Sequence, residues 1–443
     1  MNIDDNTPDT DAHSRRGFLG KAGGAAAAAT AVGLAGCSGN GNGSNGNGGN
    51  GNGGNGNGGN GGNGNGGIGE VDIPALYDLS GATSDVGRPT GIGSRDAIAW
   101  LNESDEIDFQ IAHDWVDYAY EVPQAQQNYS SYTSGDEPPI IIGWGTADTE
   151  ALASDVAADE IVYISASYSD DLLGEETPYN FFANLDYTSQ GRAHVKWIAD
   201  NDPDATVAYI HNTTPFGEAP VEGGEAYAEE LGLDVVDSIA LELSANSADT
   251  QVQRAENNGV DYLIHQNTAA PMQVLLSSIE ERGADIEVMG LTWTVDEFRA
   301  QEAPDLFEGV RYVNSNISFA QAMNSDADGW QIIEESFERE GHSMDNPEIA
   351  NINYVRGVVH ALLAVEGVRH AQEMGLDPSS GADIREALID IDDFDAWGLL
   401  PETYDYQDGD RRPTMNGQTY VVEDGEMVPD EMVELERRED WLP

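Results

Sequence analysis

From Val71 to Trp293, short apolar runs alternate with longer stretches whose apolar positions recur at helical spacing. That alternation constrains the fold more than any other feature of the chain. The runs "VDIPALYDL", "IDFQIAHDW", "PPIIIGW" and "IVYISAS" are apolar on both faces, as strands are when both sides of their sheet are covered. Between them the pattern predicts a loop "SGATSDVGRPTG" followed by helices "SRDAIAWLNES", "QAQQNYSSYTS" and "EALASDVAAD". A second series begins after "NLDYTSQG". Helices "RAHVKWIADN", "APVEGGEAYAEELG", "DTQVQRAENNG" and "MQVLLSSIEERG" there alternate with strands "TVAYIHN", "DVVDSIALEL", "DYLIHQN" and "EVMGLTW". Strands separated by helices pair in parallel. The expectation is an α/β protein of two Rossmann-like lobes with parallel sheets.

The residues before Glu70 cannot join either lobe. "SRRGFLGKAGGAAAAATAVGLAGC" sets Arg15 and Arg16 ahead of a mildly apolar, Ala-rich stretch, the pattern of a twin-arginine export signal. The apolar stretch is shorter than the ~20 residues that span a bilayer. Leu34-Ala35-Gly36-Cys37 resembles a lipobox, in which cleavage leaves Cys37 as a lipid-bearing N-terminus. Cys37 is the one cysteine of the chain, so it has no internal disulfide partner. Residues 1–36 thus read as a signal peptide, and 37–69 as a lipidated cysteine and flexible Gly/Asn tether. Thirty such residues have an r.m.s. reach of about 30 Å.

Charge narrows the partners. With 81 acidic and 19 basic residues the formal net charge is −62, and only Lys21 and Lys196 are lysines. Nothing here could neutralise a run of phosphates, which excludes nucleic acid. The excess would oppose compaction in dilute buffer, and molar salt, with a Debye length near 3 Å, would screen it. The composition therefore resembles that of halophilic proteins, and the 39% apolar residues argue against a disordered acidic chain.

In open α/β sheets ligands bind beyond the carboxyl ends of the strands. After the third strand comes "GWGTADTEALASDV", which offers Trp144, Thr146, Asp148 and Thr149 at a helix start. After the fourth comes "SASYSDD" with Ser167, Tyr168 and Ser169. One such loop is usually a helix cap. Two in succession suit a small polar ligand with an aromatic wall.

The stretch from Leu79 to about Asn316 resembles the extracytoplasmic solute-binding receptors of branched-chain amino acid ABC importers, and similarity continues more weakly to the C-terminus. The resemblance rests on "LSGATSDVG", "IIGWGTADTEALASDV", "IVYISASYSDDLL", "HNTTPFGEA", "DYLIHQNTAAPMQVLLSSIEERGADIEVMG" and "NINYVRGVVHALLAVEGVRHA". It implies the type I periplasmic-binding-protein fold, two lobes joined by a hinge of three crossings, placed near Tyr187–Gly191, Val313–Asn316 and Leu400–Thr403. Lobe 1 would hold residues 70–190 and 316–400, and lobe 2 residues 191–315 and 401–443. The family's ligand carboxylate is held at positions matching Ala147, with Thr146 and Asp148 beside it, and Ser167, Tyr168 and Ser169. Phe216 matches an aromatic residue that closes over the ligand, and Thr268 stands where the family often has tyrosine. Thr292, followed by Trp293, replaces the acid that pairs with a ligand ammonium. Either Asp148 supplies that charge, or the solute is not a plain α-amino acid.

The implied function is the substrate-binding component of an ABC importer, lipid-anchored on the outer face of the membrane beside a permease. It would take a small amino-acid-like solute: a branched-chain amino acid, an amide, a urea-like compound or a carboxylate. A sensor for a membrane signalling receptor is the alternative, and an anchored extracellular hydrolase a weaker one, since no nucleophile motif is present. No cofactor is expected. Trp144→Ala is expected to weaken ligand binding with little change in Tm. Asn324, Asp326, Asp328 and Glu335 in "NSDADGWQIIEE" partly match a calcium loop. An acidic helix N-terminus explains them as well. His360, Glu366 and His370 do not share one helix face and read as helix-surface residues. Asn102, Asn128, Asn212 and Asn316 begin glycosylation sequons.

Overall fold

Pro74 interrupts the first strand. A proline has no N–H for the ladder, and the run predicted as one strand divides into β1 (Glu70–Asp72) and β2 (Ala75–Tyr77). Its neighbour divides in register into β3 (Gln110–Ala112) and β4 (Trp115–Asp117). The computed structural model describes residues 69–135 and 137–443. The twin-arginine segment, Cys37 and the Gly/Asn run lie outside the described residues.

The first lobe is built on a five-stranded parallel sheet of order β4-β2-β5-β6-β7, with β5 Ile140–Gly143, β6 Val162–Ser165 and β7 Asn180–Phe182. Every residue of β5 and β6 is buried, as the two-sided apolar pattern requires. Helices α1 (Ser84–Glu103), α2 (Val122–Tyr132) and α3 (Thr146–Ala158) follow its strands. The later helices Asp328–Glu340, Ile352–Met374 and Gly381–Ile389 return to pack on α1 and on β5 and β6.

The start of α1 corrects the sequence reading, in which residues 80–91 formed a loop. The carboxylate of Asp78 accepts from the amides of Gly81 and Thr83 and from the Thr83 hydroxyl, which folds the chain into a helix start at Ser84. Pro89 lies inside α1. Tertiary contact outweighs the poor propensity of Pro and Gly here. A Cβ on Gly93 would overlap the Tyr354 carbonyl, and one on Gly357 would overlap the Thr90 carbonyl. Glycine at both positions lets α1 and the helix Ile352–Met374 cross backbone to backbone.

The second lobe holds a seven-stranded sheet of order β14-β13-β12-β11-β10-β8-β9. Its members are β8 Thr206–His211, β9 Asp234–Ala240, β10 Tyr262–Gln266, β11 Glu287–Gly290, β12 Arg311–Val313, β13 Asn416–Glu423 and β14 Glu426–Glu434. β8 to β12 pair in parallel, and β13 and β14 add an antiparallel hairpin. Asp424 and Gly425 turn that hairpin with φ of 53° and 80°, the paired positive values of a two-residue turn.

The chain leaves the first sheet at 183–186 and enters helix α4 (Tyr187–Asn201), capped by the Asp186 side chain. Tyr187–Gly191, expected in the hinge, therefore lie within α4. Further passages follow β12 at 314–318 and run through the coil around 399–415 before β13. These segments bond to one another: the Leu185 amide donates to Ser315 Oγ (3.1 Å), the Tyr404 hydroxyl to the Ser315 carbonyl (2.6 Å), and the Ile317 amide to the Leu399 carbonyl (3.0 Å). Among the described residues no helix is long and apolar enough to cross a membrane.

Candidate ligand-binding site

The carboxyl ends of β2, β5 and β6 face those of β8, β10 and β11 across a cavity of about 240 Å³. Five residues singled out from sequence line it: Trp144, Thr146, Phe216, Thr268 and Trp293. The two tryptophans meet edge to face with ring centroids 5.0 Å apart. Each indole N–H is fixed, Trp144 Nε1 on Thr83 Oγ1 and Trp293 Nε1 on the Tyr187 hydroxyl, both at 2.9 Å. Phe216 packs edge-on against Tyr187 at 5.6 Å. These bonds and ring contacts hold the walls in one geometry.

The other expected residues support the walls from behind. Asp148 is buried, and its Oδ1 accepts from the Tyr118 hydroxyl (2.7 Å), which itself accepts from the Gly145 amide. Burial raises the Asp148 pKa to about 7. Ala147 is the second residue of α3 and is half-buried. Ser167 donates to Thr146 Oγ1 (2.8 Å), and Ser169 to Glu150 (3.0 Å). Tyr168 stacks on Trp293 at 5.8 Å, with its hydroxyl 3.1 Å from His360 Nε2. Thr292 belongs to the hinge, where it donates to Asn314 Oδ1 (2.6 Å) and accepts from Asn184 (3.2 Å) and Arg356 (3.2 Å). None of these six lines the cavity.

Thr83, Val86, Tyr120, Gly145, Ala166 and Tyr187 line it as well. Thr83 and Val86 arrive with the unforeseen first turns of α1. Tyr120 follows Ala119 in the left-handed region, with φ of 60° and 52°, a conformation side chains other than glycine rarely adopt. Such strain gathers where a fold must aim a group at a site. No composition or spacing announces it.

One further reading is corrected. His360 is fully buried against Tyr168 rather than on a helix surface. Asn324 and Asp326 precede the helix Asp328–Glu340, while Glu335 accepts from Trp100 Nε1 (2.6 Å). Among the described residues no group of three or more His, Cys, Asp or Glu is placed to hold a metal ion. Asn212 and Asn316 are buried, and Asn102 is held by the backbone of Ile111 through both its Nδ2 and Oδ1, which leaves Asn128 as the sequon a bulky surface glycan could reach.

The sequence profile of the family described as "Periplasmic binding protein" matches residues 70–426. The chain belongs to this family. Solved structures agree with the two-lobed type I fold of its members. The substrate-binding protein of an ABC transporter from Aeropyrum pernix is 28% identical, with a TM-score of 0.76 over 84% of this chain and 98% of that one. A branched-chain amino acid ABC transporter protein from Thermus thermophilus with bound valine is 24% identical, with a TM-score of 0.77 over 83% and 97% of the two chains. A solute-binding protein from R. palustris in complex with benzoate is 15% identical, with a TM-score of 0.69 over 83% and 97%. No curated protein sequence matches the chain.

Proposed function

We propose that this protein is the solute-binding component of an ABC importer, exported by a twin-arginine signal and held outside the membrane by lipid on Cys37. The observation that carries the reading is the aromatic-walled cavity between two lobes that the chain links by three passages. A hinge of this kind closes when a solute contacts both lobes, because a few loop residues absorb the dihedral change. Phe216, Thr268 and Trp293 come from the second lobe, and Trp144 and Thr146 from the first. Membership of the periplasmic binding protein family and likeness to the Aeropyrum pernix substrate-binding protein support the same role. The twin-arginine pattern, the lipobox and the tether fit a receptor that waits beside a permease.

The test is a thermal-shift screen of the full chain in multi-molar salt, since a ligand bound only by the folded form raises Tm. One or more small solutes should raise Tm and be recovered unchanged, and reconstituted permease should take up that solute only when the protein is added. A solute chemically altered on recovery would sink the receptor reading in favour of an enzyme. Mass spectrometry of protein extracted from membranes should find diacylglycerol on Cys37, and Cys37→Ser should release the protein to the medium.

A further inference from the structure

Behind the Trp293 wall lies a guanidinium with no carboxylate bonded to it. Arg356, on the helix Ile352–Met374, is fully buried with its Cζ 4.0 Å from the Trp293 ring centroid. Its acceptors are all neutral: the Thr292 carbonyl (3.0 Å) and hydroxyl (3.2 Å), Asn314 Oδ1 (2.9 Å) and Asn353 Oδ1. Its Nε has no partner. Asp296 stands beyond Asn353, 3.3 Å from the amide, with Glu297 next to it, and burial raises their pKa values to about 6 and 7. A buried cation without a bonded counter-charge is costly in any protein. It is unexpected in a chain with a net charge of −62.

The cavity in front of Trp293 is rich in donors and poor in acceptors. Thr268 Oγ1 is buried in its lining and has no partner. Thr146 Oγ1 already accepts from Ser167, so its own hydrogen is free to point inward. α3 opens at Gly145 without a side-chain cap, which leaves first-turn amides and the positive end of the helix at the cavity. No carboxylate lines the space. The nearby acids stand behind the lining: Asp78 bonds to Gly81 and Thr83, Asp148 Oδ1 to Tyr118 with its Oδ2 unpartnered, and Asp85 to the Ala270 amide (3.1 Å) beside Thr268.

We propose that the solute is a small monocarboxylate with an apolar body and no ammonium group. Its oxygens accept from Thr268, Thr146 and the start of α3, its body lies against the touching rings of Trp144 and Trp293, and its charge answers that of Arg356 across the Trp293 ring. A plain α-amino acid would bury its ammonium without an acid and in the positive field of Arg356. The cavity is small and its two tryptophan rings touch, which limits the body to a short branched chain or a single ring. The chain's overall negative charge is no barrier in molar salt, where it is screened beyond roughly 3 Å. This inference rests on the solute-receptor reading above.

A matched series separates the two. The full chain in multi-molar potassium chloride would be titrated calorimetrically with 3-methylbutanoate, its amide, valine and isobutylamine, with benzoate as the single-ring carboxylate. The expected result is that a carboxylate binds at least about tenfold tighter than valine and the amide. Valine or the amide matching both carboxylates would overturn the monocarboxylate assignment and leave the receptor standing. No binding by any of them would likewise overturn the monocarboxylate assignment, while the receptor reading falls only if the wider solute screen also finds nothing. Arg356→Gln should abolish the preference for carboxylate over amide, and an unchanged ratio in the folded variant overturns the assignment. Should Arg356→Gln not fold, Thr268→Val carries the test: carboxylate affinity should fall at least about fivefold with Tm unchanged, and unaltered affinity counts against it.

Discussion

Trp144 belongs to the core and to the cavity at once. Its ring lies 6.2 Å from Tyr77 in the first lobe and 5.0 Å from Trp293 across the cavity, and it is 4% exposed. Trp144→Ala should therefore lower stability by about 3–5 kcal/mol as well as weaken binding, which corrects the expectation of an unchanged Tm. Trp144→Phe keeps most of the burial and loses the bond to Thr83. It should weaken solute binding with a smaller loss of Tm, as calorimetry with and without solute can measure. Trp144 and Thr146 were legible because they follow a strand whose apolar run is unmistakable, whereas Phe216, Thr268 and Trp293 came from the family resemblance. Tyr120 and Tyr187 were not, since one depends on a left-handed backbone and the other on where α4 begins. Asp148 and Thr292 occupy the right loops but face inward, and only side-chain geometry reveals that.

At the scale of elements, the crossing of α1 with the helix Ile352–Met374 fixes one wall of the first lobe. Gly357→Ala would drive a methyl into the Thr90 carbonyl, and backbone cannot yield as a flexible side chain can. The variant should lose at least about 2 kcal/mol, a loss in the overpacking range, seen as a lower denaturation midpoint. An unchanged midpoint would mean that the helices can part without loss. The runs that became β1 to β6 and β8 to β11, and the helices between them, were readable from periodicity, whereas β7, β12 and the hairpin of β13 and β14 were not. The first turns of α1 were not, because Ser, Gly and Pro between residues 80 and 91 signal a loop until Asp78 gathers them. Nor was the division at Pro74 foreseen, although a proline within a strand run is the signal for it.

For the whole molecule, burial pulls acids and histidines in opposite directions. Asp148 and Glu297 are raised to about 7 and Asp296 to about 6, so the folded state binds more protons than the unfolded chain between about pH 4 and 7. Stability from these groups is present at low pH and lost as pH rises through that window. His194, His265 and His360 are buried and neutral, lowered to about 4, 3 and 3. Their contribution is present above about pH 6.5 and lost as pH falls toward those values. Asp170, raised by burial to about 7, adds to the acid side, so in molar salt the Tm should peak between about pH 4 and 6 and decline on both sides. Asp148→Asn should reduce the loss between pH 6 and 8, and a profile identical to that of the parent chain would mean that Asp148 stays ionised in its burial site.

The three passages between lobes also bear on the order in which the chain can mature. Neither lobe is written as one continuous stretch. The first sheet is complete by Phe182, yet the helix that covers α1 spans Ile352–Met374, and the second sheet waits for the hairpin Asn416–Glu434. A ribosome emitting this chain from its N-terminus would release nearly all of it before either half could close. The first half closes once Gly381–Ile389 has emerged, and the second only with β13 and β14, so a truncation before β13 leaves the second sheet unfinished and the first lobe whole.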